Sequence, residues 1–138
     1  MRYMLDTNIS IYIMKRHPAE VLSRFDSLRQ GDVVMSVVTH AELRAGLEMQ
    51  TVNRSSDEQV LGLLIRRIPV LPFDDAAAVS YGILRAALRE RNRNALDRLI
   101  GAHALSTGAT LVTNNEAHFK DYPGLVIENW VNSAQAPR

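Results

Sequence analysis

Asp6 ends the short apolar run Tyr3-Met4-Leu5 and is followed at once by Thr7 and Asn8. Such a run, with no polar alternation, reads as a buried strand. An acid at its end has two uses. Asp and Asn satisfy turns and cap helices, and the carboxyl edge of a parallel sheet is also where open α/β folds place ligands. Three more polar groups stand at comparable points. Glu42 lies in "THAELRAGLEMQ", after the strand-like "VVMSVV" of residues 33–38; Asp97 lies in the first turn of "ALDRLIGAHALSTG"; Thr113, Asn114, Asn115 and Glu116 follow "ATLVT".

Each acid has a local explanation. Thr39-His40-Ala41-Glu42 fits a capping box. Asp97 can pair with Arg93 one turn earlier, and Asn115 and Glu116 can open a short helix through Phe119. Taken together the acids point elsewhere, because carboxylates gathered without cations repel and call for a positive ion between them. Oxygen donors suit Mg²⁺ or Mn²⁺, which take one or two carboxylates with waters and phosphate oxygens.

The elements that must position these residues follow from the pattern. Strands are expected at about 3–6, 33–38, 69–73, 109–113 and 125–130, with helices between them near 8–16, from Pro18 to Gly31, 39–50, 58–67, after Asp74-Asp75, and 95–108. Residues 51–58 read as a loop. Strands alternating with helices imply one α/β domain, a parallel sheet with helices on both faces. Residues 131–138, "VNSAQAPR", are expected to be a disordered tail behind a domain of residues 1–130.

Composition bounds the remaining classes. The chain has 138 residues, 46% hydrophobic and 22% charged, with a net charge of +1, ordinary for one globular domain. The absence of cysteine excludes disulfides and thiolate metal sites. No apolar run approaches a membrane span, and the first strand starts without a signal segment, so a cytoplasmic location is expected. Of the 16 basic residues only Lys15 and Lys120 are lysines, and Arg85, Arg89, Arg91, Arg93 and Arg98 crowd together. Arginine forks match phosphate oxygens, so this cluster reads either as an RNA-binding footprint or as a solvated helix face.

The segments "MLDTNISIYIM", "SVVTHAELRAGLE", "DRLIGAHALSTGATLVTNN" and "FKDYPGLVIENW" together resemble a PIN-domain ribonuclease of the VapC toxin type, from about residue 3 to 130. The resemblance implies a single PIN-like domain with a central parallel sheet of four to five strands. It implies a Mg²⁺-dependent endoribonuclease, the toxin of a type II toxin–antitoxin pair. Such a toxin cuts tRNA or rRNA, forms a homodimer and is held by a VapB-type antitoxin. The family's catalytic, metal-holding acids fall on Asp6, Glu42 and Asp97. Thr7, Asn8, Thr113, Asn114, Asn115 and Glu116 match the surrounding polar positions or a fourth ligand.

Relatives often carry a Glu just before the Phe, where this chain has His118, leaving Glu116 or Asp121 as substitutes by position. The segment "ERNRNAL" before Asp97 is shorter and more basic than the Gly/Pro-containing loop of related toxins. Two rival readings remain: a metal-independent ribonuclease using two of His17, His40, His103 and His118, and a PIN-like module that binds RNA and antitoxin without cutting. Ile11, Tyr12 and Met14 would face an antitoxin groove or the core, and Tyr81, Ile83 and Leu84 a twin chain or the sheet.

Overall fold

The apolar runs come together as one parallel sheet, seen in a computed structural model that describes residues 2–89 and 95–131. In chain order the elements are β1 (Tyr3–Leu5), α1 (Thr7–Lys15), α2 (Ala19–Asp26), β2 (Val33–Ser36), α3 (Val37–Glu48) and α4 (Arg54–Arg67). They continue with β3 (Val70–Leu71), α5 (Asp75–Ala87), α6 (Ala95–Thr107), β4 (Thr110–Val112), α7 (Glu116–Phe119) and β5 (Ile127–Glu128). The sheet order is β3-β2-β1-β4-β5, and every pairing is parallel.

This order determines where chemistry can sit. The chain steps outward from β1 to β2 and β3, then returns past β1 to lay down β4 and β5. The carboxyl end of β1 is therefore the topological switch point, where open α/β sheets leave a crevice. Leu5 lies opposite Met35 on one side and Val112 on the other. Asp6, Ser36 and Thr113, the residues that follow along the three strands, consequently reach the same edge.

Alternate strand residues feed two cores. Tyr3, Leu5, Met35 and Val112 face α1, α2, α3 and α4, with Phe25, Leu43, Leu47, Leu61 and Trp130 among their neighbours. Met4, Val34 and Leu111 face the other way, onto Leu84, Ile100, Ala104, Phe119 and Tyr122. Period-two alternation in strands buried on both faces produces this division.

Helix starts depart from expectation at two places. Val37 and Val38 are β-branched and were expected in the strand, yet α3 begins at Val37. The reason is Ser36, whose hydroxyl accepts from the Val38 amide at 3.0 Å and caps the helix at the strand end. Thr39 is therefore already inside α3 and Glu42 lies in its second turn, so the expected capping box does not form. In the segment expected as a loop, α4 starts at Arg54. Its first turn is held by Arg54 to Glu58 at 2.6 Å, with Arg44 reaching the same carboxylate at 3.2 Å. The helix expected from Pro18 to Gly31 ends at Asp26, and the Ser27 hydroxyl donates back to the Arg24 carbonyl at 2.6 Å.

A buried clasp ties the two faces. Ser36 Oγ accepts from Val38 and lies 2.7 Å from His103 Nδ1 on α6; with the ring's other nitrogen on the Pro72 backbone, the Ser36 hydroxyl donates to Nδ1. His103 is nearly inaccessible, and burial holds its pKa below the usual range, so it stays neutral. His103, one of the four histidines of the rival reading, is buried in a structural contact. It joins the β2–α3 junction to α6, the two segments that carry Glu42 and Asp97.

Gly101 on α6 leaves room for an aromatic ring. A Cβ there would lie 2.6 Å from Tyr122 Cε2 and 2.7 Å from Cδ2. In an open helix Gly→Ala gains up to about 1 kcal/mol, but overpacking against a buried ring costs about 1–3 kcal/mol. Gly101→Ala is therefore expected to lower the urea midpoint at unchanged m-value. An unchanged or raised midpoint would contradict the close approach of α6 and Tyr122.

Candidate active site

Asp6 is 5% exposed. Its amide continues the ladder to the Val112 carbonyl at 3.0 Å, while its carboxylate caps α1 by accepting from Ile9 N at 2.9 Å. The Thr113 hydroxyl also donates to it. That hydroxyl accepts from the Asn115 amide at 2.9 Å, which leaves its proton for Asp6. Burial is the largest influence on Asp6 and raises its pKa to about 6 against those two donors; the charges of Asp97 and Glu42 push the same way. Two acids from distant parts of the chain thus lie near enough for their charges to act on Asp6.

The other two acids also have donors. Glu42, half-buried on α3, accepts from the Thr7 hydroxyl at 2.5 Å across 35 residues of sequence. Asp97 stands in the first turn of α6, where the helix N-terminus favours a negative group. Its carboxylate lies 3.1 Å from His118 Nδ1 on α7. The Asn115 side chain approaches the same nitrogen at 2.8 Å. Arg93, the alternative partner expected for Asp97, lies outside the described residues.

Thr7, Thr113 and Asn115 therefore stand among the acids. Asn8 is exposed in the first turn of α1. Asn114 and Glu116 turn away, toward Asn129, whose amide donates to Asn114 Oδ1 at 3.2 Å and Glu116 Oε2 at 2.9 Å. Asn114 also donates to the Tyr12 hydroxyl at 3.4 Å. Sequence reasoning treated His118 as a departure from a pattern and as one of four candidate acid–base histidines, and missed its contact with Asp97. An aromatic nitrogen three residues past Asn115, one helical turn along, was the available signal.

The basic cluster divides. Arg85 and Arg89 are exposed, with Arg85 on the Tyr81 hydroxyl at 3.2 Å. Arg91 and Arg93 lie outside the described residues, as do residues 132–138 of the expected disordered tail. Arg98 corrects the surface reading: it is 3% exposed. It follows Asp97 by one position, and that rotation turns it inward, where it reaches the Tyr81 hydroxyl.

Beside Glu42 a cavity of about 250 Å³ opens between α1, α3 and α4, lined by Ile11, Met14, Leu43, Leu47 and Val60, with Lys15 at its edge. Ile11 and Met14 thus contribute to a groove as well as to the core. On α5, Ile83 is 67% exposed, whereas Leu84 is buried in the core. No helix among the described residues is long and apolar enough to cross a membrane.

The chain matches the PIN domain family over residues 3–125. It is 39% identical to the tRNA(fMet)-specific endonuclease VapC of Shigella flexneri, over 94% of this chain and 98% of that protein. It is 33% identical to Ribonuclease VapC2 of Rickettsia felis, over 94% and 98%. Among solved structures, a chain of the Rickettsia felis VapBC2 complex bound to a promoter DNA fragment superposes with a TM-score of 0.86. That chain is 32% identical, with 94% of this chain and 99% of that one covered. The DNA-bound VapBC of Salmonella typhimurium also gives 0.86, at 34% identity over 94% and 98%. With its five-stranded parallel sheet and this near full-length likeness, the chain belongs to the PIN-domain family and, within it, to the VapC-type toxin ribonucleases.

Proposed function

We propose that this chain cleaves RNA endonucleolytically with a divalent cation, Mg²⁺ or Mn²⁺, held by Asp6, Glu42 and Asp97, and stops translation by cutting tRNA or rRNA. The observation that carries this reading is the buried Asp6 carboxylate: burial raises its pKa to about 6, and the charges of Asp97 and Glu42 push the same way. A cation relieves that pressure, and the donor set fits one with a preference for oxygen. It has three carboxylates, a threonine hydroxyl and no cysteine. Among the described residues no three His, Cys, Asp or Glu side chains converge tightly enough to hold an ion alone. Mg²⁺ is commonly held by one or two carboxylates with waters in the other positions, so part of the contact would run through water. The Shigella relative's name, tRNA(fMet)-specific endonuclease, makes tRNA the first substrate to test.

When bound, the cation supplies an activated water and shields charge building on the phosphate. The protein's own residues orient and hold. Ile9 N and Thr113 fix the Asp6 carboxylate, Thr7 fixes Glu42, and Asp97 stands 3.1 Å from His118 Nδ1. Arg85 and Arg89, both exposed, contact the RNA backbone, so binding weakens as salt rises. Hydrolysis forms a bond from water oxygen to phosphorus and breaks the bond to O3′. It leaves 5′-phosphate and 3′-hydroxyl ends without using the 2′-hydroxyl.

The groove beside Glu42 accepts an apolar antitoxin helix, and a basic antitoxin side chain there would meet Glu42 in its lining. The apolar groove lining and the likeness to VapBC complexes support this reading. The exposed Ile83 and Val79 on α5 support a homodimer through that face.

Purified chain is expected to cut total RNA with Mg²⁺ or Mn²⁺, to lose cutting in EDTA, and to lose at least about 100-fold in Asp6→Ala. Cutting that survives both changes and leaves 2′,3′-cyclic phosphates would transfer the chemistry to the histidines. No cutting, with normal growth on expression, would favour a binding module.

The site also carries a stability cost with a definite sign. Folded Asp6 holds its proton more tightly than the unfolded chain, with a pKa of about 6 against an ordinary 3.8. Stability from this group is therefore complete below 3.8 and lost as pH rises through about 6. Above that the penalty is about 3 kcal/mol. In EDTA, Asp6→Asn is expected to be more stable than wild type at pH 8, with the difference vanishing toward pH 4. Denaturant unfolding at both pH values checks it; a less stable variant at pH 8 would contradict the buried-carboxylate account.

A further inference from the structure

We propose that His118 is a positioning residue for Asp97, a hydrogen-bond donor where related toxins often carry an acid. The inference rests on the metal reading above. Its Nδ1 lies 3.1 Å from Asp97 Oδ2 and 2.8 Å from Asn115 Nδ2, an atom that exchanges places with Oδ1 when the amide is rotated by half a turn. One proton on Nδ1 serves both contacts when the Asn115 amide turns its oxygen to the ring. Asn115 N in turn donates to the Thr113 hydroxyl, which donates to Asp6. A continuous path of hydrogen bonds and one side chain thus runs from Asp97 through His118, Asn115 and Thr113 to Asp6.

The imidazole is held there by packing. The next residue, Phe119, is 1% exposed. Phe119 meets Tyr122 edge to face at 5.2 Å, and Tyr122 lies on Gly101 of α6, about one turn beyond Asp97. Helix α7 is thereby fixed against the helix that carries Asp97, and His118 is delivered across 21 residues of sequence.

The chemistry differs from that of a fourth carboxylate. A histidine donor orients Asp97 without adding negative charge, and the Nδ1 engaged in donation is not a ligand. Hydrogen-bonded partners of metal-holding carboxylates commonly affect metal affinity by 10–100-fold. The effect should therefore appear in cation binding itself, apart from RNA cleavage.

The test is Mn²⁺ titration calorimetry on the full chain, comparing wild type with Asp6→Ala, His118→Ala and His118→Asn, each checked by thermal melting. The Asn amide nitrogen hangs from Cγ as Nδ1 does, so it can replace the donor. The expected result is no binding by Asp6→Ala, at least about tenfold weaker binding by His118→Ala, and recovery of most of that loss in His118→Asn. Wild-type affinity in His118→Ala, with Asp6→Ala still inert, would overturn the role of His118 and leave the metal reading standing. Equal weakening in both His118 variants would also overturn it, because the donor would not be what matters. Failure of wild type to bind Mn²⁺ would bring down the metal reading and this inference with it.

Discussion

Asp6 must remain out of water and still be held by donors, and much of the molecule follows from meeting both demands. Its amide belongs to the β1–β4 ladder, its carboxylate caps α1, and Thr113 at the end of β4 gives it a second donor. Burial of a charged carboxylate is unfavourable unless it is hydrogen-bonded or paired with a cation. Here the local donors oppose burial without cancelling it, and two further acids add to the pressure. The fold accepts a destabilised group at the switch point, where the order of strand addition turns from one side of β1 to the other.

The other acids reach that edge by different routes. Ser36 ends β2 and starts α3 in the same residue, which brings Glu42 onto the second turn, over Thr7. His103 and Ser36 clasp α6 to that junction from below, so the helix bearing Asp97 and the helix bearing Glu42 share a buried anchor. Neither contact is itself chemistry. Both convert a sheet topology into a spacing between carboxylates.

Much of this arrangement is legible in the amino-acid sequence. The runs YML, VVMS and TLV lack polar alternation, as strands buried on both faces must, and their alternation with helices announces a parallel sheet. Asp6, Glu42 and Asp97 stand out because each follows or begins an element at the expected edge. What escapes the sequence depends on partners far away in it. The end of β2 turns on a serine that prefers to cap, and the start of α4 on ion pairs reaching back to Arg44 and Glu48. The inward turn of Arg98 is set by the packing of α6 against α5, which a one-dimensional cluster of arginines conceals. The role of His118 is hidden for the same reason: its partner lies on another helix.

The central claim is that these three carboxylates form one cation site. Anomalous diffraction from Mn²⁺-soaked crystals of the antitoxin-free chain tests it most directly. The predicted result is a manganese peak at direct-coordination distance, roughly 2–2.3 Å, from Asp6 and from at least one of Glu42 and Asp97. Peaks only elsewhere on the molecule, or none at a concentration that supports RNA cleavage, would contradict it.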